Sequence, residues 1–210
     1  MNIFVTGQTT LHWGRLEYGN IGNYYVMEPL FAGLRSYFPD ADIRTTFQFS
    51  NVFLDKHQIT MIPMETYWDF SSSDNLSIAK KELELSKEVA AGVKIKESTL
   101  YLDTVRWCDV FIDVSGDIWG DNANFLGEDR FEVGLIKDMV AQELGKLTFM
   151  LAGSPGPFCD ERTKEMAKGV YGKFTYVTNR EPLSTELLKQ WGFPCDKTKD
   201  VACTSFLFNA

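Results

Sequence analysis

The sequence is poor in the residues on which several large classes of chemistry depend. It holds two histidines in 210 residues, His12 and His57, so imidazole-based catalysis has few candidates. His12 stands beside Trp13 and Gly14, and His57 lies in Asp55-Lys56-His57-Gln58. Neither shows metal-ligand spacing, and each reads as an ordinary solvated or hydrogen-bonded histidine. The four cysteines, Cys108, Cys159, Cys195 and Cys203, form no C-x-x-C pair, which argues against a zinc site or a disulfide frame and for reduced thiols in a cytoplasmic protein. Lys/Arg-rich runs are missing, and 21 basic against 29 acidic residues give a formal charge of −8. Nucleic acid and anionic membranes are therefore poor partners. No window approaches the roughly 18 apolar residues of a membrane span, and Met1 to Gly7 lacks the regions of a signal peptide. Also missing are G-x-G-x-x-G and G-x-x-x-x-G-K-[ST], so dinucleotide and P-loop chemistry lose support. Neither metal nor cofactor is expected.

A 44% hydrophobic chain of this length can bury a real core without staples. The most informative stretch is Cys108 to Asn122. Val110, Phe111, Ile112 and Val114 suit a strand buried on both faces. The turn formers Ser115, Gly116, Asp117, Gly120, Asp121 and Asn122 follow at once. In an open α/β sheet ligands sit beyond the carboxyl ends of strands, so this is where a site is sought first; a loop that merely turns the chain would use the same letters.

The same unit recurs along the chain. Asn2 to Thr6 predicts a first strand, Gly7 to Asn23 a long loop with four glycines, and residues 24–38 an amphipathic helix. Gly19-Asn20-Ile21-Gly22-Asn23 enters that helix, where free N–H groups favour a polar or anionic ligand, unless Asn23 is only an N-cap. A second strand is read at 42–47, no assignment at 51–69, helices at 76–93 and 97–106, and a helix at 131–144 stopped by Gly145. Leu147 to Ala152 is a buried strand closed by Gly153-Ser154-Pro155-Gly156-Pro157-Phe158. Gly153 and Gly156 let a ligand approach that backbone, or simply shape a rigid turn. Asp160 caps a helix to about Gly169, Phe174 to Thr178 is a strand, and a helix runs from about Pro182 to Trp191. Arg180 at a strand end can clamp phosphate or carboxylate, or pair with Glu181 or Asp200. Alternating strands and helices predict an α/β fold, a Rossmann-like three-layer sandwich with a mostly parallel sheet, residues 1–210 forming one domain.

Four separated motifs and a closing one then fall into the order of one family. Gly19-Asn20-Ile21-Gly22-Asn23 resembles the G-N-x-G-D of the polysaccharide pyruvyl transferases, with Asn23 in place of Asp. Residues 108–117 resemble their D-x-v-i-x-x-G-G-G strand and loop, Ser115-Gly116-Asp117 standing for three glycines. Residues 152–158 are similar to their Q-s-x-G-P turn, and Thr178 to Gly192 to v-R-e-x-x-S-x-x-L-x-x-x-G; Asp200-Val201-Ala202 matches D-x-A-f.

The resemblance implies the N-terminal half of a GT-B-like enzyme acting in exopolysaccharide biosynthesis, which moves a pyruvyl group from phosphoenolpyruvate to a saccharide acceptor, with a C-terminal half or partner domain supplying donor-binding groups. Under it Asp117 is a base or sugar-hydroxyl acceptor and Arg180 the anion clamp, while Gly19, Asn20, Gly22, Asn23, Ser115, Gly116, Gly153, Ser154 and Gly156 bind substrate. Trp13, Tyr18 and Trp119 are candidates for stacking on sugar, although aromatic residues in a chain this rich in them more often serve as packing. A non-catalytic glycan- or phosphate-binding module, or half of a nucleotide-sugar glycosyltransferase, are the alternatives. An exposed apolar patch is expected around Phe206, Leu207 and Phe208, where a second half would dock.

Overall fold

The computed structural model describes residues 1–8, 15–19 and 21–208. Its centre is a parallel sheet of seven strands, β1 (Asn2–Thr6), β2 (Asp42–Thr45), β3 (Ile59–Met61), β4 (Val110–Asp113), β5 (Leu147–Gly153), β6 (Tyr176–Asn179) and β7 (Thr198–Asp200), in the order 3-2-1-4-5-6-7. Every pairing is parallel, where the sequence predicted a mostly parallel sheet. Helices α1 (Leu16–Gly19), α2 (Ile21–Tyr37), α3 (Asn51–His57), α4 (Asn75–Ala90), α5 (Leu100–Trp107), α6 (Arg130–Glu143), α7 (Glu161–Lys173) and α8 (Pro182–Gln190) make the connections.

The three layers follow from strand periodicity. Successive side chains leave a strand on opposite faces, so Ile3, Val5, Ile112 and Val114 pack with α2 and α3. Phe4 and Phe111 point the other way, into Ala79, Leu83, Tyr101, Val105, Val133 and Val140 of α4, α5 and α6. A third cluster joins Met150 and Val177 to α6, α7 and α8 through Leu135, Val170 and Leu188.

The segment from Gly7 to Asn23 is not one loop. Leu16 is buried and its N–H donates to Gln48 O at 2.7 Å, while Glu17 Oε1 accepts from Ser50 N and Oγ at 2.8 and 2.6 Å. These anchors to the chain beyond β2 outweigh the local preference of glycine-rich sequence, and α2 begins at Ile21. Asn23 thus lies within the first turn and is not the N-cap. The unassigned 51–69 stretch contains α3, capped by Ser50 Oγ on Phe53 N at 3.3 Å, and the edge strand β3. His57 is not solvated: it is buried against Phe31 and Phe53, with Nε2 3.6 Å from Glu28 Oε1. Burial holds its pKa below the ordinary value despite that carboxylate. All four cysteines are free, and among the described residues no helix is long and apolar enough to cross a membrane.

Helices α4 and α6 are locked by a buried ion pair. Lys137 Nζ reaches Glu82 Oε2 at 2.6 Å and Thr66 O at 2.9 Å, and Thr99 Oγ1 donates to Glu82 Oε1 at 2.6 Å. Removing one partner strands the other charge in the core. Lys137→Met should destabilise the fold by about 3–5 kcal/mol in urea denaturation, and adding Glu82→Leu should restore part of that loss; a single substitution without effect would contradict the reading.

Candidate active site at the sheet's switch point

The order of the strands reverses between β1 and β4, and the crevice at that reversal is where a doubly wound sheet binds ligands. A cavity of about 520 Å³ opens there, a volume typical of small-molecule sites. Gln8 lines it after β1, Gly22, Asn23, Tyr25, Val26 and Met27 from α2, Phe47 after β2, and Val114 to Ile118 after β4. Leu151, Arg180, Cys203 and Ser205 complete it.

Two close backbone approaches shape this crevice. Gly7 has φ +140°, and a Cβ there would stand 2.9 Å from Ser115 N, so only glycine lets β1 end against the β4 loop. Gly116 has open space beside it but φ +63°, which favours glycine on conformation alone. Ser115 then ties the two loops: its Oγ accepts from Gln8 N at 2.9 Å and donates to Asp113 Oδ2 at 2.9 Å, while its N–H donates to Asp113 Oδ1 at 2.7 Å.

Beneath the loop lies a buried carboxyl pair. Asp113 and Asp138 are fully buried, and Asp138 Oδ2 accepts from Trp119 Nε1 at 3.1 Å. Burial pushes Asp113 up to about 6, against the two hydrogen bonds from Ser115. Burial, reinforced by the charge of Asp113, pushes Asp138 well above the usual carboxylate range. Two adjacent buried acids cannot both ionise, so Asp138 keeps its proton and donates to Asp113.

At the other wall Arg180 Nε donates to Ser154 Oγ at 2.7 Å, and Ser154 Oγ donates to Glu181 Oε1 at 2.9 Å. Arg180 Nη2 lies 4.0 Å from Asp117 Oδ2, and Nε 3.7 Å from Glu181 Oε2. Glu181, not Asp200, is thus its structural ion-pair partner. Ser154 N donates to Gly116 O at 3.2 Å and Arg180 N to Gly153 O at 3.0 Å, which draws the β4, β5 and β6 loops together.

The residues expected in the site divide accordingly. Gly22, Asn23, Ser115, Gly116, Asp117 and Arg180 line one cavity, with Ser154 behind Arg180. Gly153 and Gly156 stand outside the lining. Gly156 N donates to Trp119 O at 2.9 Å, and a Cβ on Gly120 would fall 2.6 Å from the Gly156 carbonyl carbon, so there two loops cross backbone to backbone. Gly19 ends α1, and Asn20, His12 and Trp13 lie outside the described residues. Trp119 cannot stack on a sugar, because it is buried among Phe131, Phe158 and Tyr171.

Sequence reasoning passed over Gln8, Tyr25, Phe47, Cys203 and Ser205. Gln8 is 2% exposed and neither atom of its side-chain amide has a hydrogen-bond partner; its signal was position, as the first polar residue past the Gly7 crossing. The tail reaches the cavity by folding over α2, where Thr204 Oγ1 donates to Val26 O at 2.9 Å and Phe208 packs edge-on to Tyr25 at 4.5 Å. Phe206 and Leu207 are left 80% and 74% exposed. Among the described residues no three metal-ligating side chains gather.

A doubly wound parallel sheet with a cleft at its switch point defines a Rossmann-like α/β protein. Comparison with known proteins makes this specific: the polysaccharide pyruvyl transferase family model matches residues 20–210, and the chain belongs to that family. It is 26% identical over 178 residues to the amylovoran biosynthesis protein AmsJ of Erwinia amylovora, covering 80% of this chain and 41% of AmsJ. In fold it is similar to the UDP-GlcNAc 2-epimerase of Neisseria meningitidis solved with UDP-GlcNAc, at TM-score 0.52 and 11% identity over 98% of this chain and 47% of that one. It is also similar to Anabaena HepE solved with UDP, at TM-score 0.48 and 10% identity over 97% and 44%. The chain spans less than half the length of these relatives.

The carboxyl pair carries a pH signature. A carboxyl raised in the folded state takes up protons on folding, so its stabilising contribution is present at low pH and is lost as pH rises through the folded value; for Asp113, about 6, that loss is common to wild type and Asp138→Asn, and Asp138, held well above the usual range, adds its own loss in wild type alone. Asp138→Asn keeps an acceptor for Trp119 and a donor for Asp113 without a proton to lose. Thermal melts from pH 5 to 8 should show wild type losing stability relative to Asp138→Asn as pH rises; a constant difference would exclude the shared proton.

Proposed function

We infer that this chain forms the acceptor-side half of a pyruvyl transferase that uses phosphoenolpyruvate to place a ketal-linked pyruvate on a sugar of a surface or secreted glycan. The observation that carries the reading is the charge of the cleft. Among the described lining residues Arg180 is the one cation and Asp117 the one anion, the rest being amide, hydroxyl, thiol, thioether, aromatic or aliphatic. Such a lining suits a neutral polyol. A phosphate-plus-carboxylate donor requires more cations, and these are assigned to a C-terminal half or partner domain that meets the cleft across the exposed Phe206 and Leu207.

In this reading the enol carbon of the donor gains a proton, and a sugar hydroxyl adds to the adjacent carbon as its own proton passes to a base. A second hydroxyl displaces phosphate to close the ketal, its proton leaving with the phosphate. Asp117, whose exposed Oδ2 lies 4.0 Å from Arg180, is assigned the hydroxyl proton, and Arg180 the donor's carboxylate or phosphate. Asn23 and Ser115 line the acceptor's approach. The protein works in the cytoplasm, where phosphoenolpyruvate is made.

Ligand-observed NMR with phosphoenolpyruvate, nucleotide sugars and a panel of saccharides tests this. Saccharide binding should weaken about tenfold, one charge-assisted contact, in Asp117→Ala, and phosphoenolpyruvate should bind this chain weakly and only through Arg180. Preferential binding of a nucleotide sugar would instead indicate half of a glycosyltransferase. Saccharide binding without phosphate release from phosphoenolpyruvate in the presence of the remaining half would indicate a non-catalytic module.

A further inference from the structure

A second hollow lies apart from the cleft, between the loop after β3 and the loop after β4. It has a volume of about 240 Å³ and is walled by Trp68, Asp69, Phe70, Ser72, Ser73, Asn75 and Leu76 on one side and by Leu126 to Asp129 on the other. The amino ends of α4 and α6 both border it, and neither N-cap, Asp74 or Asp129, closes its helix with a side-chain hydrogen bond. The decisive feature is Trp68. Its ring is 5% exposed and its Nε1–H has no hydrogen-bond partner. The edge that carries this N–H faces Gly127 so closely that a Cβ there would stand 2.3 Å from Cζ2 and 3.1 Å from Cε2. A buried donor without an acceptor is costly, and because Gly127 covers this edge, a ligand oxygen would recover that cost only with a shift of the Gly127 turn.

We propose that this hollow is a second saccharide site, which holds one sugar ring of a glycan chain. The chemistry of the wall selects the ligand. An anion meets the carboxylates of Asp69, Glu128 and Asp129. A bare cation meets the positive ends of two helices, and behind the wall stands the buried Arg130 guanidinium, 5.5 Å and 5.0 Å from the Trp68 and Phe70 ring centres. A polyol satisfies both sets, with hydroxyls donating to Glu128 and Asp129 and a ring or hydroxyl oxygen accepting from Trp68. Apolar sugar faces find Phe70 in the wall, and Phe125, 88% exposed, one residue before it. The volume lies below the roughly 300–1,000 Å³ of drug-sized pockets, so a single ring fits.

The site is independent of pyruvyl transfer and is tested without it. Indole N–H resonances are followed in ¹⁵N-labelled protein, with Trp68 assigned by Trp68→Phe, during titration with the methyl glycosides of glucose, galactose and glucuronic acid. A neutral glycoside should shift the Trp68 signal, and the exposed Glu128→Ala should weaken that binding about tenfold while Arg180→Ala leaves it unchanged. The proposal is overturned if no glycoside moves the signal, if inorganic phosphate or calcium moves it in their place, or if Glu128→Ala binds as wild type.

Discussion

The structure depends on how closely β1 and β4 can part. Two parallel strands that neighbour each other in the sheet but wind to opposite sides must release their loops side by side, and whatever binds at the reversal sees those loops first. Gly7 permits the contact by lacking a Cβ 2.9 Å from Ser115 N. Ser115 then joins both loops through one hydroxyl, and Asp113 orients it. The arrangement requires a buried carboxylate, tolerable because Asp138 stands beside it holding a proton. Because Asp138 also accepts from Trp119, the residues from Ser115 to Trp119 are fixed at both ends, and Asp117 is presented from a rigid loop.

How much of this was legible in the sequence follows from where each residue's constraints lie. The inner strands were read well because parallel strands buried on both faces are continuous apolar runs; Val110 to Asp113 and Leu147 to Gly153 are of that kind, whereas the three-residue edge strands β3 and β7 carry no such run and were not read. The long helices announced themselves by period and by their stops, Gly145 and Gly192, both at positive φ. What failed was set by distant partners. Leu16 and Glu17 become helical by bonding to Gln48 and Ser50, and no local pattern contains that information. Trp119 sits in a polar loop and so was a candidate sugar platform, but it packs in the core, as aromatic residues more often do, its indole drawn in by a carboxyl on α6 nineteen positions on. Gln8 and the tail residues Cys203 and Ser205 enter the cleft through tertiary folding alone.

The charge of the cleft bears on how the proposed function would divide its labour. The protein carries a formal charge of −8, so its mean field repels a multiply charged donor. Within the cleft Arg180 is partly answered already by Asp117 and Glu181. One guanidinium so compensated is a weak trap for a phosphate and a carboxylate together. On the proposed reading the acceptor would therefore be placed by this chain and the donor's charge met from across the cleft, with water excluded when the two close.

Helix α6 links the cleft to the second hollow. Its amino end borders the hollow, Lys137 fastens it to α4, and Asp138 on the next position holds the floor of the cleft loop. A helix pinned at adjacent residues on two sides cannot slide without breaking a buried ion pair or a buried carboxyl pair, each worth several kcal/mol once half of it is left alone. The spacing between the two sites is thus a fixed property of the fold. If both take sugars, that rigidity makes the distance between them a ruler: a polymer seated at Trp68 would present to Asp117 a unit set by its own repeat, and selection among units would come from register as well as from the contacts around the reacting hydroxyl.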